Sequence, residues 1–587
     1  MTVLRRTSLM IVGAVALAGV TVPAQGAPDR TTLAVEGTLD VVAIDTFGRE
    51  ARAEHLYTVV TDDGAEIPVA LDGDLPADGR FRGELVVTGD VAGALEDRDL
   101  LPAEGGRIDE DSRAGRVAVA AAEDETTPLP VASSTVAPAA VAAASVPVGH
   151  RAYVARMTGV GSVDGSDSVV ADAVDGMLDF WRSEPGAVTS FAQVGAIADF
   201  AAPNGVTEAN ACGMLDPNTY LDTIFVRAAR QFRDVDFDQP GNHLLVVAGD
   251  ECTGSNRPAG IATIGSSMAD GGRSMVAFVP ALFDQIGAHE LGHNVGLEHA
   301  NLQTCPSART CEYYDMYSVM GLGVSAPERG VVLSPPALGS LYRSQLGLPL
   351  DGEITRLVAS PGQVVDQSVA LAPRGGSSGP RGVLVTDPAT GARYSIDSRV
   401  RTARDTGTFY GSRYSYSAPT PEYPEGVVIE QQTDSGETYL VTRPGVRASG
   451  AWVAGTVFAP SAGLRVTIGS TGGSANVRIQ LNAPVPVPVA APAPRRLATK
   501  TPRITGTVRV GRTLKIAVGS WSPRPSYRYQ WYANGRKIAR KATASSFRLT
   551  TRQKGQRITV KVTGRKAGYT TVTKTSRRTT KVAPRRR

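Results

Sequence analysis

The sequence predicts a multidomain protein in which a central α+β domain is flanked by all-β domains on its N-terminal and C-terminal sides. The chain has 587 residues, which is too long for one compact domain. Alternating apolar and polar residues, the pattern of half-buried strands, recur before residue 115 and after residue 350. Helical spacing of apolar residues occurs between these regions, within residues 148–350. We therefore expect a mixed sheet with packed helices in the centre of the chain.

The first segment, residues 1–26, has the layout of a signal peptide. Two arginines precede an apolar run, Leu9–Val22, and small residues follow, so we expect cleavage after Ala24 or Gly26. This layout predicts a secreted, extracellular protein, with association with the cell wall as an open alternative. No later segment contains around 18 uninterrupted apolar residues, so we expect no transmembrane span.

Residues 27–114 are expected to form a small all-β unit, because strand-like runs alternate with turns such as Asp62-Asp63-Gly64. Residues 115–147 are rich in Ala, Val, Pro, Ser and Thr, and their composition indicates a linker without a core. A folded unit and a loose tether ahead of a larger domain suggest a propeptide. Arg113-Ala114-Gly115-Arg116 is a candidate processing site. The alternative is an accessory domain that stays attached.

The central domain, residues 148–350, carries the helical patterns. Strands are expected at Tyr153–Met157, at residues 243–248 and at residues 274–279. Helices are expected at residues 169–182, 218–232 and 283–297. His243 begins a predicted strand, and we expect it to be structural.

The most informative stretch reads H-E-x-x-H-x-x-G-x-x-H. On a helix, His289 and His293 lie one turn apart on the same face, so both imidazoles can bind one metal ion. Glu290 then lies within reach of a water on that ion. Gly296 can adopt a left-handed conformation that ends the helix and returns His299 as a third ligand. Three histidines leave one tetrahedral position open, which suits a catalytic zinc ion rather than a structural one.

This stretch resembles the zinc site of the metzincin metallopeptidases, and the longer pattern is far more specific than H-E-x-x-H alone. That clan also has a turn with a methionine beneath the metal. Here the stretch 314–321 fits, with Met320 as the expected residue and Met316 as the alternative. The Ser-Val-Met-Gly ending and the short span to the turn are similar to the gametolysin group. The resemblance covers about residues 148–350 and implies a zinc metallopeptidase domain.

The resemblance also implies a mechanism. Zinc would activate a water molecule and polarise the scissile carbonyl, and Glu290 would act as general base and then pass the proton to the leaving amine. No role is assigned to Tyr313, Tyr314 or Tyr317, because they precede Met320 instead of following it. Many relatives are silenced by a propeptide cysteine, but no cysteine precedes Cys212 here. Inhibition by the N-terminal segment would therefore need a carboxylate, a histidine such as His55, or simple occlusion.

The chain has four cysteines, and a small even number in an exported protein favours disulfides. Cys305 and Cys311 flank a short loop, and we expect that pair to be bonded and Cys212 to bond Cys252. Other pairings and free thiols remain alternatives. The alternation of Asp234, Asp236 and Asp238 lacks the glycine and the glutamate of an EF-hand loop. A calcium ion is therefore not indicated, although another kind of calcium site stays open.

The C-terminal part is expected to contain a β-sandwich at 351–482, a Pro-rich linker at 483–496 and a basic domain at 497–587. The last domain resembles the immunoglobulin-like repeats of bacterial surface proteins, with Trp531 in its core. Residues 495–587 contain 27 of the 61 Lys and Arg residues and no Asp or Glu, so the rest of the chain has a net charge of −23. Such a basic module could bind anionic cell-wall polymers or surfaces. Nucleic acid is a poor fit for an exported chain.

Two functions from different classes follow from these observations. The first is a secreted zinc endopeptidase, made as a zymogen, that hydrolyses peptide bonds in protein substrates. The alternative is a cell-surface adhesion or wall-binding protein with a vestigial protease domain. The intact zinc motif favours the first, whereas bound zinc without peptidase activity would favour the second.

Overall fold

The computed structural model describes residues 30–586 except for 47–51, 72–74, 103–104, 138–148, 164, 187–189, 255–256, 305–311, 323–332, 361, 413–420, 446–447, 484–494 and 539–541. The predicted signal peptide and most of the predicted Pro-rich linker lie outside the described residues. The chain forms two compact units, residues 1–483 and 484–587, and both are mostly β-structure in several sheets with few helices. No helix in the described ranges is long and apolar enough to cross a membrane.

The N-terminal region is β-rich but not all-β. Its elements are β1 (Thr32–Thr46), β2 (Arg52–Thr61), β3 (Glu66–Ala70), β4 (Gly79–Val86), α1 (Gly89–Glu96), β5 (Arg107–Asp109), α2 (Arg113–Glu123) and β6 (Leu129–Ala137). The prediction of a coreless linker over 115–147 is wrong for residues 115–137, which form most of α2 and all of β6. Ala118, Val119 and Ala122 lie on one face of α2 and join the core of this region. Small side chains can form a helical face even where the composition suggests a linker. The candidate processing site 113–116 forms the first turn of α2.

The central region contains the expected mixed sheet and helices. Its elements are β7 (His150–Thr158), α3 (Asp167–Arg182), β8 (Phe191–Gln193), β9 (Ala198–Ala201), α4 (Pro217–Ala229), β10 (Asn242–Ala248), β11 (Gly260–Thr263), β12 (Gly272–Ala277), α5 (Phe283–Asn294), β13 (Ala300–Leu302) and α6 (Ser340–Gln345). Strands β7, β10 and β12 are parallel, and β11 runs antiparallel to β12. The predicted strands and helices within 150–294 are confirmed, with ends shifted by a few residues.

Strand β1 connects the N-terminal region to the central sheet. It pairs with β2 and β4 over most of its length, and its last residues, 42–45, pair antiparallel with β11. The result is one continuous twelve-stranded sheet. The register places Asp45 opposite Gly260, and backbone hydrogen bonds from Ala259 to Asp45 and from Ile264 to Val41 secure both ends of this pairing.

Two hydrophobic cores cover the faces of the central sheet. On one face, α3 and α5 pack around Trp181 and Met320. On the other face, α4 packs over a core that contains the Cys212–Cys252 disulfide, which confirms that predicted pairing. The predicted Cys305–Cys311 bond lies outside the described residues.

The predicted β-sandwich at 351–482 is present. Its strands are β14 (Ile354–Leu357), β15 (Val365–Leu371), β16 (Gly382–Thr386), β17 (Arg393–Arg399), β18 (Gly426–Gln432), β19 (Thr438–Leu440), β20 (Ala451–Trp452), β21 (Val457–Phe458), β22 (Leu464–Ser470) and β23 (Ala475–Leu481). They form a seven-stranded and a four-stranded sheet around a shared apolar core. The larger sheet also includes β13, which pairs with β19, so the predicted boundary at 350 does not separate two independent structures.

Buried ion pairs also join the central region to the sandwich. Arg343, at the end of α6, is fully buried and donates hydrogen bonds to Glu184 at 2.5 Å and to both carboxylate oxygens of Glu353 at 2.7 and 2.9 Å. Arg374 and Arg381, also buried, pair with Glu353 as well. Because a charge left unpaired in such a site is very costly, this network fixes the two parts to each other.

The second unit contains β24 (Arg495–Arg496), β25 (Arg503–Thr505), β26 (Thr513–Ala517), β27 (Ser526–Ala533), β28 (Arg536–Lys537), β29 (Ser546–Arg548), β30 (Ile558–Arg565), β31 (Tyr569–Thr570) and β32 (Val572–Thr575). A three-stranded and a four-stranded sheet enclose an apolar core. Trp531 is fully buried there, as predicted.

Candidate metal centre

The H-E-x-x-H-x-x-G-x-x-H stretch folds as its spacing predicts. His289 and His293 lie one turn apart on the buried helix α5, which ends at Asn294. Gly296 follows with a φ of +89°, a left-handed conformation, and a side chain there would approach the backbone of Ser266 and Ser267 within about 3 Å. The chain therefore turns sharply and brings His299 back to the first two histidines.

Four side chains meet at this point, and one of them comes from the N-terminal region. Candidate ligand atoms of Asp45, His289, His293 and His299 all lie within 4.8 Å of one another, and all four residues are buried. Asp45 Oδ2 lies 3.2 Å from the Nε2 atoms of both His289 and His293, and Asp45 Oδ1 lies 2.9 Å from Nε2 of His299. The Nε2 atoms of His293 and His299 face each other at 3.1 Å. This buried group of one aspartate and three histidines could hold a metal ion.

Backbone carbonyl groups orient two of the imidazoles. Nδ1 of His289 lies 3.1 Å from the carbonyl oxygen of Val319, and Nδ1 of His293 lies 2.8 Å from that of Leu297. A proton on each Nδ1 satisfies these contacts and leaves Nε2 free of a proton and directed into the group. Metal-binding histidines commonly have such an outer hydrogen bond.

Met320 lies directly beneath the histidine-bearing helix. A Cβ atom on Gly292, between the two helical histidines, would meet Met320 Sδ at 2.4 Å. Met316 instead belongs to a separate core with Tyr317 and Tyr410. Of the two methionines considered from the sequence, Met320 is the one that lies under the helix carrying His289 and His293.

Glu290 lies beside the group and is fully buried. No N–H or O–H group in the described ranges donates a hydrogen bond to either of its carboxylate oxygens. Gly260 makes room for this side chain, because a Cβ atom there would lie 1.8 Å from Glu290 Oε1. Buried carboxyl groups normally accept a hydrogen bond from a donor, so Glu290 is a candidate for a functional role.

The protonation states suit metal binding. Burial alone would raise the pKa of Asp45, but the three surrounding imidazoles hold it well below its usual range. Burial lowers the pKa of His299 to about 3 and also lowers the pKa of His293, although Asp45 opposes both shifts. Burial, with a further contribution from Asp45, raises the pKa of Glu290 well above its usual range. His293 and His299 are therefore neutral near pH 7, as metal ligands must be.

Sequence reasoning missed two residues of this site. Asp45 was not singled out, although a carboxylate directly after the apolar run 41–44 is unusual enough to have drawn attention. The sequence assigns no role to Tyr313. Its buried hydroxyl donates a hydrogen bond to Asp45 Oδ1 at 2.7 Å, and its ring centroid lies 4.6 Å from that of His299. Burial, then the charge of Asp45, raises the pKa of Tyr313 well above its usual range, so the phenol stays protonated.

The remaining histidines lie outside the group. His243 is structural, as expected, but not isolated, because its Nε2 lies 2.8 Å from Nδ1 of His150 and its Nδ1 lies 3.1 Å from Asn294 Oδ1. His55 stacks beside His299, with ring centroids 5.9 Å apart, without joining the group.

No protein-family model matches the chain, and no curated protein gives a significant match to it.

Proposed function

We propose that this protein is a secreted zinc endopeptidase of the metzincin type, similar to the gametolysin group and made as a zymogen. The observation that carries the proposal is the buried triad of His289, His293 and His299 with the buried carboxyl group of Glu290 beside it. A hydrolase uses such a group as a base.

The distances within the group support zinc as the ion. A tetrahedral zinc ion with bonds of about 2.0–2.1 Å separates its ligand atoms by about 3.3 Å. The separations among Asp45, His293 and His299 are 2.9–3.2 Å.

The proposed reaction assigns a task to each residue. Zinc held by the three histidines would supply Lewis-acid chemistry, activating water and polarising the carbonyl group of a peptide bond. Glu290, ionised once the neighbouring Asp45 has left, would accept the proton of the attacking water and deliver it to the departing amine. The hydroxyl of Tyr313, which now donates to Asp45, would donate to the substrate carbonyl oxygen as that oxygen gains negative charge.

The sheet geometry supports a polypeptide substrate. Strand β11 passes Glu290 at Gly260. In the sheet it lies between β12 on one side and β1 on the other. If β1 leaves, the backbone groups of β11 become a sheet edge, which can pair with an extended peptide. A peptide in that position would lead its backbone past the metal centre.

The test compares casein cleavage by the full chain and by its Glu290→Gln variant, before and after limited proteolysis, with the zinc content measured in each sample. We expect about one zinc ion per chain in both proteins and cleavage only by the proteolysed wild type. Asp284→Asn, on the same helix, is the matched control and should retain activity. Turnover that survives Glu290→Gln would contradict the assignment. Bound zinc without any peptidase activity would favour the adhesion alternative.

We also propose that residues 497–587 bind anionic wall polymers. Lys515, Lys561 and Lys574 are exposed on strands, and this module contains no Asp or Glu that could neutralise them. Binding of the full chain to lipoteichoic acid should weaken steeply as NaCl is raised from about 50 to about 500 mM, because salt screens the attraction between exposed charges. Binding that does not depend on salt would refute an electrostatic role.

A further inference from the structure

The N-terminal region delivers a carboxylate to the three histidines by extending a strand. β1 ends its pairing with β4 at Leu39 and stays paired with β2 as far as Thr46. On the side that β4 has left, residues 42–45 pair with β11, and the strand ends at Thr46 directly after Asp45. The side chain of Asp45 is fully buried, and its two oxygens approach all three Nε2 atoms. Asp45 therefore occupies the position that a water molecule or a substrate carbonyl group would need.

We propose that β1 is an autoinhibitory strand, in which Asp45 is the fourth metal ligand and residues 42–45 block the β11 edge. The proposal rests on the proposed function and adds the regulation of the same site. A site with three histidines and one carboxylate has no open position, and open positions distinguish catalytic from structural zinc sites. The intact chain is inactive for two reasons. Asp45 fills the coordination position that water or substrate would need, and the strand edge that would bind a peptide is already paired with β1.

The residues around Asp45 hold the strand in this register. Ile44 points to the opposite face of the sheet and packs in the core beneath α4, and Val42 packs against the same core. Tyr313 donates its hydroxyl to Asp45 Oδ1, so the carboxylate is oriented as well as buried. The site becomes accessible only when β1 separates from β11. Proteolytic cleavage of the chain between Ala137 and His150 would permit that separation.

Activation also follows from the covalent arrangement. While the chain is intact, the N-terminal region is tethered to the domain that it blocks, and its effective concentration at the site is high. After a cut, the same contacts must hold two separate fragments together, and dilution favours their dissociation. Latency is therefore a property of the continuous chain and needs no thiol.

Cobalt-substituted full-length protein provides a test that does not depend on activity. In wild type, the visible spectrum of Co²⁺ should be insensitive to azide, because protein atoms fill all four positions. Asp45→Ala should open one position, and the spectrum should respond to azide with an apparent affinity about 10- to 100-fold higher than in wild type. Asp45→Asn, which keeps the side-chain volume, guards against a folding defect. Asp40→Ala, an exposed aspartate on the same strand, is the matched control and should behave as wild type.

The outcomes separate this proposal from the proposed function. If cobalt binds to all the proteins and azide changes the spectra of wild type and Asp45→Ala equally, Asp45 is not a metal ligand. The proposed metal site would remain valid in that case. No metal in any of the proteins would overturn both proposals. An azide response gained by both Asp45 variants and not by Asp40→Ala would establish Asp45 as a ligand, and casein cleavage that appears only after the chain is cut would establish the latency.

Discussion

The role of Tyr313 can be tested through a single hydroxyl group. Its oxygen lies 2.7 Å from Asp45 Oδ1, so in the proposed proteolytically activated form it would face the substrate oxygen that replaces that carboxylate. A hydrogen bond to a charged group is worth about 1.5–3 kcal/mol. Tyr313→Phe should therefore lower kcat by about 10- to 150-fold. KM should change little, because the interaction strengthens only as charge develops on the oxygen.

The assay is steady-state hydrolysis of a quenched fluorescent peptide, together with binding of a phosphinic peptide that mimics the tetrahedral state. Affinity for the mimic should fall by the same factor as kcat. Tyr317→Phe is the matched control, since Tyr317 is equally buried but donates its hydroxyl to the carbonyl of Pro424 at 2.7 Å, away from the histidines. A kcat of Tyr313→Phe that equals that of Tyr317→Phe would refute the reasoning, and so would a loss confined to KM.

Three further predictions concern buried residues around the three histidines. Arg343→Met removes a buried cation from two glutamates and should lower the free energy of unfolding, measured by urea titration, by about 3–5 kcal/mol. The control Arg356→Met, at an exposed arginine, should change it by less than about 0.5 kcal/mol. Equal effects of the two substitutions would contradict a stabilising role of the buried ion pairs. Gly292→Ala places a methyl group against Met320 and should cost about 1–3 kcal/mol and weaken metal binding, measured by competition with a chelator; unchanged binding would show that Met320 moves freely. Burial raises the pKa of Glu430 to about 8 from an ordinary value of 4.5, so the folded state holds a proton that the unfolded state has lost, and stability should fall as pH rises from 5 to 9. Glu430→Gln should flatten this decline, and an unchanged slope would assign the decline to other groups.

The parts of the structure that were predictable are those in which the information is local. The spacing of four between His289 and His293 and the glycine at 296 specify a helix, a turn and three converging ligands within eleven residues. The long helices α3, α4 and α5 follow from periodicity in the same way. The Cys212–Cys252 disulfide was predictable from the even number of cysteines in a chain that the sequence predicts to be exported.

The parts that were missed depend on distant partners. Arg343 shows no periodic pattern that marks it as buried, because its environment is created by glutamates from two other segments. The boundary at 350 failed because β13 and β19, far apart in sequence, share a sheet. Helix α2 was mistaken for a linker because its buried face consists mainly of alanine and valine. In each case, a tertiary contact supplied what the local sequence left undetermined.

Asp45 shows how packing that is unrelated to chemistry can position a functional group. Successive residues of a strand point to opposite faces, so a slip of β1 by one residue would place Ile44 among the histidines and Asp45 in the apolar core beneath α4. The apolar side chains of the run exclude that slip, because Val41 and Ala43 pack in the core of the N-terminal region while Val42 and Ile44 pack in the opposite core. Burial of a carboxylate without partners would add a further cost of several kcal/mol to the slipped register. The hydrophobic pattern of residues 41–44 thus sets the register of β1, and that register brings Asp45, 244 positions before His289 in the sequence, to the three histidines.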